Sequence, residues 1–291
     1  MFTFAKIDKS LNTRKLLEET IRQINLPETA VEIRETALVL LENFTGLNRA
    51  EILAGKEINL NPGLHEKIVE GICRINRHEP VQYITGKAWF YGRKFRVTPD
   101  VLIPRPETEE LVDVVRSIFP ASAPLRMLDV GTGSGCIAIT LKLEFPQSRV
   151  YAIDVSHAAL TIARMNAENL PAPVDFMLCD FLQSGPDVSE LDLIVSNPPY
   201  IAGYEKDLLK QNVVNYEPHL ALFVPDDNPL VFYDALARKG KQLLKKNGYI
   251  VAEINERLGR AVTAVFDSSG YATRLFKDMS GKDRVVIAKW M

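Results

Sequence analysis

From Arg126 onward the chain alternates short apolar runs with helix-period stretches, and few architectures accept that order. The runs at 126–130, 150–154, 175–179, 191–196 and 249–254 are brief, apolar and bounded by turn residues, so they read as strands buried on both faces. The stretches 136–145, 157–169, 230–246 and 258–268 repeat apolar residues three and four apart and read as helices. Such alternation implies an α/β fold: a parallel sheet with right-handed crossovers and helices on both faces. The end of the chain breaks the pattern. Residues 272–277 and 285–290 are strand-like, and the segment between them is too short for a crossover helix. The last two strands are therefore predicted to form an antiparallel hairpin at the sheet edge.

The first part of the chain has a different texture. From about Thr13 to Arg77 the pattern is helical, with Ile33, Ala37, Leu40, Leu41 and Phe44 on one face. Pro27 followed by Glu28 reads as a helix start, Gly46 as a stop, and Pro62 opens another helix. No acid, base or nucleophile cluster stands out there, which makes 1–79 a helical domain for recognition rather than chemistry. Residues 80–119 read as a linker. In it, aromatic and β-branched residues flank Gly92 as in a β-hairpin. After the hairpin, Pro104 and Pro106 hold Arg105 in an extended loop, and an acidic run opens a helix through Leu111, Val114, Val115 and Ile118. Arg105 is expected either to pair with Glu107 or Glu109 or to line the active site. Residues 120–291 form the remaining, catalytic domain.

Composition narrows the function classes. Lysine and arginine total 35 against 37 acidic residues, a net charge of −2, so the global basic excess of many nucleic-acid binders is absent. Cys73, Cys136 and Cys179 are odd in number and widely spaced, supporting neither a disulfide framework nor a zinc site and pointing to a reducing, cytoplasmic compartment. His65, His78, His157 and His219 are scattered, and no metal is expected. Residues 1–8 lack a long apolar core and no stretch approaches the ~20 residues of a membrane span, so neither secretion nor a membrane partner is expected.

The chemistry concentrates at predicted strand ends, the edge at which open α/β sheets bind ligands. Ser196-Asn197-Pro198-Pro199-Tyr200 follows the strand 191–196. Its two prolines withdraw backbone donors while the carbonyls of Asn197 and Pro198 and the Asn197 side chain can accept, and Tyr200 adds a flat apolar face. A stiff loop of acceptors suits a planar group carrying an NH2. Upstream, Gly131-Thr132-Gly133-Ser134-Gly135 lies between a strand and a helix, where backbone and helix N–H groups can meet a ligand. The spacing is not the G-x-G-x-x-G of dinucleotide folds, which counts against a dehydrogenase. Asp154 ends the next strand, placed to accept both hydroxyls of a ribose, although it or Ser156 could instead cap the helix at His157. Asp180 and Phe181 end the third strand, an acid for a base amine beside an aromatic for its ring face.

Together, Asp129 to Gly135, Asp154, Asp180-Phe181 and Asn197-Pro198-Pro199-Tyr200 resemble a class I adenosylmethionine-dependent methyltransferase of the amino-methylating type. Phe90-Tyr91-Gly92, Ile103-Pro104-Arg105-Pro106-Glu107-Thr108-Glu109 and Tyr216-Glu217-Pro218 narrow the resemblance to the PrmC/HemK family of release factor glutamine methyltransferases. Two stretches depart from the family: residues 224–230 replace a glycine-rich stretch, and Asn255 stands where a glycine is usual. The resemblance implies a Rossmann-like class I methyltransferase sheet with a small N-terminal helical domain and S-adenosyl-L-methionine as cofactor. It also implies peptide-chain release factors as partners, methylated on the Gly-Gly-Gln glutamine nitrogen by a monomer that binds no nucleic acid directly. It makes Asn197, Pro198, Pro199 and Tyr200 the catalytic loop, and Gly131, Thr132, Gly133, Ser134, Gly135, Asp154, Asp180, Phe181 and Asn197 the cofactor-binding residues. Asn197 and the Pro198 carbonyl would each accept one N–H of the substrate amide, Tyr200 would stack on it, and no strong general base is needed. The rival readings are a methyltransferase for adenine or guanine amines, which should carry a basic surface, and a cofactor-binding regulator, which would not need a donor-gripping loop.

Overall fold

The computed structural model describes residues 11–278 and 281–291; residues 1–10, including the stretch 1–8 read above for a leader, and Met279 and Ser280 of the C-terminal hairpin loop lie outside the described residues. The chain divides into two compact units, one made of residues up to Lys87 together with Lys210–Tyr216 and the other of Ala88–Leu209 and Glu217–Met291.

The first unit is a helical bundle. A short antiparallel pair, β1 (Leu11–Asn12) with β2 (Glu57–Ile58), frames α1 (Thr13–Gln23), whose first turn is capped by the Asn12 side chain. In α2 (Ala30–Thr45) the Thr29 hydroxyl accepts from the Glu32 amide while the Glu32 carboxylate accepts from the Thr29 amide. That reciprocal cap starts the helix at Ala30, three residues beyond the proline that the sequence suggested, because a proline preorganises φ but satisfies no orphan N–H. Gly46 does end the helix, at φ 74°. α3 (Arg49–Ala54), α4 (Pro62–Ile75) and α5 (Val81–Thr85) complete the run. Leu16, Leu40, Leu41, Ile52, Ile68 and Ile72 are buried at the centre, each worth roughly 1.5–3 kcal/mol of apolar transfer.

The second unit opens on the hairpin β3 (Lys87–Phe90) and β4 (Arg93–Arg96), turned by Tyr91 and Gly92 at φ 49° and 70°. Two consecutive positive φ values give the twist a two-residue hairpin needs. Its inner face buries Phe90 against Phe95, edge to face at 6.1 Å. A 3-10 turn at Pro106–Thr108 leads into α6 (Glu109–Ile118). Then follow β5 (Arg126–Val130), α7 (Cys136–Glu144), β6 (Arg149–Asp154), α8 (His157–Asn169), β7 (Asp175–Leu178) and β8 (Leu191–Ser196). Two-residue β9 (Ile201–Ala202) follows the Asn-Pro-Pro-Tyr loop. Past Leu209 the chain passes to the first unit, where it forms α9 (Gln211–Tyr216). Lys210 pairs with Glu32 at 2.7 Å and the Tyr216 phenol donates to the Arg77 carbonyl at 2.8 Å. Back in the second unit, β10 (Phe223–Val224) pairs with β9, and α10 (Val231–Leu243), β11 (Leu244–Glu253), α11 (Gly259–Ser268), β12 (Tyr271–Lys277) and β13 (Asp283–Trp290) finish the chain.

The seven-stranded sheet runs β12-β13-β11-β8-β5-β6-β7, parallel except for β13, antiparallel to both neighbours. The expected edge hairpin is therefore present. α10 stops at Leu243 rather than continuing to 246, because Leu244 already pairs with Leu191 and Asn247 takes φ 67°, which a helix cannot absorb. Alternate strand residues feed opposite layers. Met127, Leu193, Val195 and Val251 pack with α6 and α7, while Leu128, Ile194, Ile250 and Val286 pack with α10 and α11. Among the described residues no helix is long and apolar enough to cross a membrane.

Candidate active site

Parallel register sets the strand ends side by side. Val130 pairs with both Ile153 and Ser196, Ser196 with Ala252, and Asp154 with Leu178. The residues that follow these positions, Gly131, Asn197, Glu253 and Cys179, must emerge on one edge, where a cavity of about 240 Å³ opens. Gly131, Gly133, Asp154, Asp180, Phe181, Asn197, Pro198 and Pro199 line it, with Leu102, Pro218 and Leu220 also contributing; Thr132, Ser134, Gly135 and Tyr200 do not.

The glycine loop divides its work. Gly131 and Gly133 hold φ 75° and 54°, and a Cβ on either would meet nothing within 4 Å, so both positions leave open room. A Cβ on Gly135 would lie 2.9 Å from Ile139 Cδ1 and 3.1 Å from Ala163 Cβ; this glycine serves close packing. Behind the loop, buried Asp129 accepts from the Thr132 hydroxyl at 2.6 Å and the Ala138 amide at 3.2 Å. Burial pushes its carboxyl up to about 7, against the pull of those two donors. Sequence reading gave Thr132 to the ligand; its hydroxyl is committed to Asp129.

Ser156, not Asp154, caps α8, accepting from the Ala159 amide. Asp154 turns to the loop instead: Oδ2 accepts from the Gly133 amide and Oδ1 from the Ser156 amide, both at 2.8 Å. Burial raises its pKa while the backbone amides of Ser156, Gly133 and Val155 lower it. A carboxylate offers about four lone-pair positions, so these amides leave it able to accept from a diol on the cavity side. Asp180 accepts from the Leu182 amide at 2.9 Å and the Gln183 amide at 3.3 Å, both through Oδ1, and among the described residues no donor meets Oδ2. Phe181 is buried beside it, with the Lys239 ammonium 5.0 Å from its ring centre.

The Asn-Pro-Pro-Tyr loop is held from behind by residues that sequence reading did not assign. Asn197 Nδ2 donates to Thr108 Oγ1 at 3.0 Å, and Thr108 Oγ1 donates to Glu253 Oε2 at 2.7 Å. The Tyr200 phenol donates to Glu253 Oε1 at 3.0 Å. Thr108 and Glu253 are both 2% exposed. Burial raises the pKa of Glu253, opposed by the two hydroxyl donors, and burial also pushes the Tyr200 phenol up. One signal pointed to Glu253: a lone acid ending an apolar strand in the register next to Asn197.

Arg105 meets neither acid expected of it and does not line the cavity. It pairs with Glu217 at 2.5 Å, and the Ile103 amide donates to the same carboxylate at 3.3 Å. Glu217, 3% exposed, immediately precedes Pro218 of the cavity lining. The ion pair thus fixes a cavity wall rather than contributing a ligand contact. Asn255, where a glycine was usual, is not among the positive-φ residues, and its side chain accepts from the Arg257 amide at 3.0 Å. The position does not require glycine. All three cysteines are free, and the described residues hold no metal-ligand cluster.

Two family models match the chain, the methyltransferase small domain over residues 111–220 and the PrmC N-terminal domain over residues 17–86. The release factor glutamine methyltransferase of Bacteroides thetaiotaomicron is 42% identical over 274 residues, covering 94% of this chain and 97% of its own. That of Bacillus subtilis is 40% identical, covering 90% of this chain and 93% of its own. Among solved structures, a methyltransferase from Pyrococcus furiosus shares the fold, with a TM-score of 0.51 and 18% identity over 75% of this chain and 96% of that one.

Proposed function

This chain belongs to the release factor glutamine methyltransferase family, and from that premise we propose that it methylates the side-chain nitrogen of the Gly-Gly-Gln glutamine in peptide-chain release factors, with S-adenosyl-L-methionine as donor. The observation that carries the reading is the shared cavity: the glycine loop, Asp154 and the Asn-Pro-Pro-Tyr loop meet at one sheet edge.

The residues fit the cofactor. Gly131 and Gly133 leave room that a side chain would fill, Asp154 keeps lone pairs for ribose hydroxyls, and Asp180 and Phe181 offer an acceptor and a ring face for adenine. When bound, adenosylmethionine supplies a methyl already activated on a sulfonium. The protein's remaining task is the nucleophile, since an amide nitrogen has its lone pair delocalised into the carbonyl. Asn197 Oδ1 and the Pro198 carbonyl each accept one N–H of the substrate amide and turn its lone pair toward the methyl. Tyr200, anchored through its phenol, covers the amide face and excludes water. The remaining N–H becomes more acidic once the nitrogen is methylated, so its proton leaves without a strong base; Glu253, already accepting from two hydroxyls, is not needed for that step.

The helical unit supplies a docking surface for the intact factor, because its residues carry none of the chemistry and a large substrate needs binding contacts remote from the reacting atom. Hydrogen exchange checks this: release factor should slow amides in that unit, and no protection anywhere in it would remove the role. The protein acts as a monomer in the cytoplasm, where its three cysteines stay reduced.

Mass spectrometry of release factor incubated with this protein and adenosylmethionine tests the function. One methyl on the Gly-Gly-Gln glutamine supports it; an unmodified glutamine overturns it. For Asp154→Ala, calorimetry should show adenosylmethionine binding at least tenfold weaker, as expected when a charged acceptor worth roughly 1.5–3 kcal/mol is lost. An unchanged dissociation constant would leave Asp154 with only its two amide contacts to explain it.

A further inference from the structure

An asparagine can grip an N–H only if its oxygen, not its NH2, faces the donor, and the two ends of the amide have nearly the same shape. Something must choose between them. We propose that Glu253 and Thr108 are positioning residues that fix the polarity of the Asn197 side chain, so that Oδ1 is kept as the acceptor for the substrate amide. The proposal rests on the glutamine-methylating reading above.

Each link forces the next. Ionised Glu253 only accepts, and its two oxygens receive the hydroxyls of Thr108 and Tyr200 at 2.7 and 3.0 Å. The single hydroxyl proton of Thr108 is thereby committed, leaving its oxygen able to accept and not to donate on the other side. Asn197 must then present Nδ2 to it, as found at 3.0 Å. Oδ1 is left facing away from Thr108, and among the described residues no hydrogen bond is made to it. The prolines at 198 and 199 have no N–H that could claim it.

Reversal of the amide would break the Thr108 bond and set an NH2 against the substrate's NH2, two donors with no acceptor between them. Burial sharpens the choice, because Thr108 and Glu253 are shielded from water that could otherwise pair with either arrangement. The same carboxylate also anchors Tyr200, so one buried charge orders both side chains of the loop that flank its prolines.

The experiment compares wild type with Thr108→Val, Thr108→Ser and Glu253→Ala, measuring kcat and KM on intact release factor and adenosylmethionine affinity by calorimetry. Thr108→Val keeps the shape but lacks the hydroxyl, so kcat should fall about ten- to a hundredfold, the scale of a misaligned reacting group, with cofactor affinity changed by less than about threefold. Thr108→Ser restores the hydroxyl and should recover most of that loss. Glu253→Ala, which removes both acceptors and frees the Thr108 proton to turn toward Asn197, should lower kcat in the same way.

Equal kcat for Thr108→Val and wild type overturns the relay. So does a Thr108→Ser variant as slow as Thr108→Val, which would make the methyl rather than the hydroxyl responsible, and so does a loss confined to cofactor affinity. Should Thr108→Val fail to fold, Thr108→Ser and Glu253→Ala decide: kcat unchanged in Glu253→Ala overturns the proposal. A wild-type protein that leaves the glutamine unmethylated overturns the functional reading itself, a result distinct from a methylating wild type matched by its variants.

Discussion

Replacing Asn197 with alanine should slow single-turnover methylation of release factor by about 10²–10³, the usual effect of removing one preorganised partner of a reacting group. The residue sits at the end of β8, in the cavity wall, with its nitrogen tied to Thr108. Alanine removes the acceptor for the substrate amide and leaves the two prolines that shape the loop. Asn197 also touches the cofactor's cavity, so the readout must be the rate at saturating cofactor. Circular dichroism and adenosylmethionine affinity near those of wild type would assign the loss to the chemical step. Single-turnover rates within a few-fold of wild type would sink the positioning mechanism outright.

Arg105→Ala should destabilise the second unit by roughly 3 kcal/mol, because removing one partner of a buried ion pair typically costs about 3–5 kcal/mol and the guanidinium here is one-third exposed. The damage comes from what is left behind: the Glu217 carboxylate, 3% exposed, would retain only the Ile103 amide at 3.3 Å. Adding Glu217→Gln should therefore restore much of the loss, since no unpaired charge then remains inside. Urea unfolding of the two single variants and the double variant measures this coupling. A shift below about 0.5 kcal/mol for Arg105→Ala would mean that the pair is an incidental surface contact, the outcome usual for exposed pairs.

The sheet was legible because its signal is local: apolar runs at 126–130 and 191–196, the first ended by Gly131 and the second by Asn197 and two prolines, keep the bounds that periodicity suggested. The cavity was legible for the same reason, as Gly131, Asp154, Asp180 and Asn197 all sit at strand ends whose order the topology dictates. What escaped were side-chain pairings across long sequence separations. Thr108 and Glu253 are 145 residues apart, and Arg105 and Glu217 are 112 apart. No periodicity announces such a pair. Arg105 shows the bias this creates: neighbouring acids at 107 and 109 looked like its partners, whereas the acid it meets is supplied by tertiary structure. Helix starts failed for another reason at Pro27, where a favourable φ was read as a beginning although the reciprocal hydrogen bonds of Thr29 and Glu32 set it.

The passage of residues 210–216 into the helical unit sets the order in which the nascent chain can be completed. Domains commonly fold as they leave the ribosome, at about 5–20 residues per second. When Lys87 has been made, this bundle still lacks α9 and the contacts of Lys210 with Glu32 and Tyr216 with Arg77. Those arrive only after β5, β6, β7 and β8 have been translated, on the order of ten seconds later. The N-terminal unit is thus begun first and finished late, with four strands of the seven-stranded sheet already made. For the same reason one cut after Lys87 cannot yield two complete halves: a fragment ending there lacks a helix of its own unit, and the remainder carries one that belongs elsewhere.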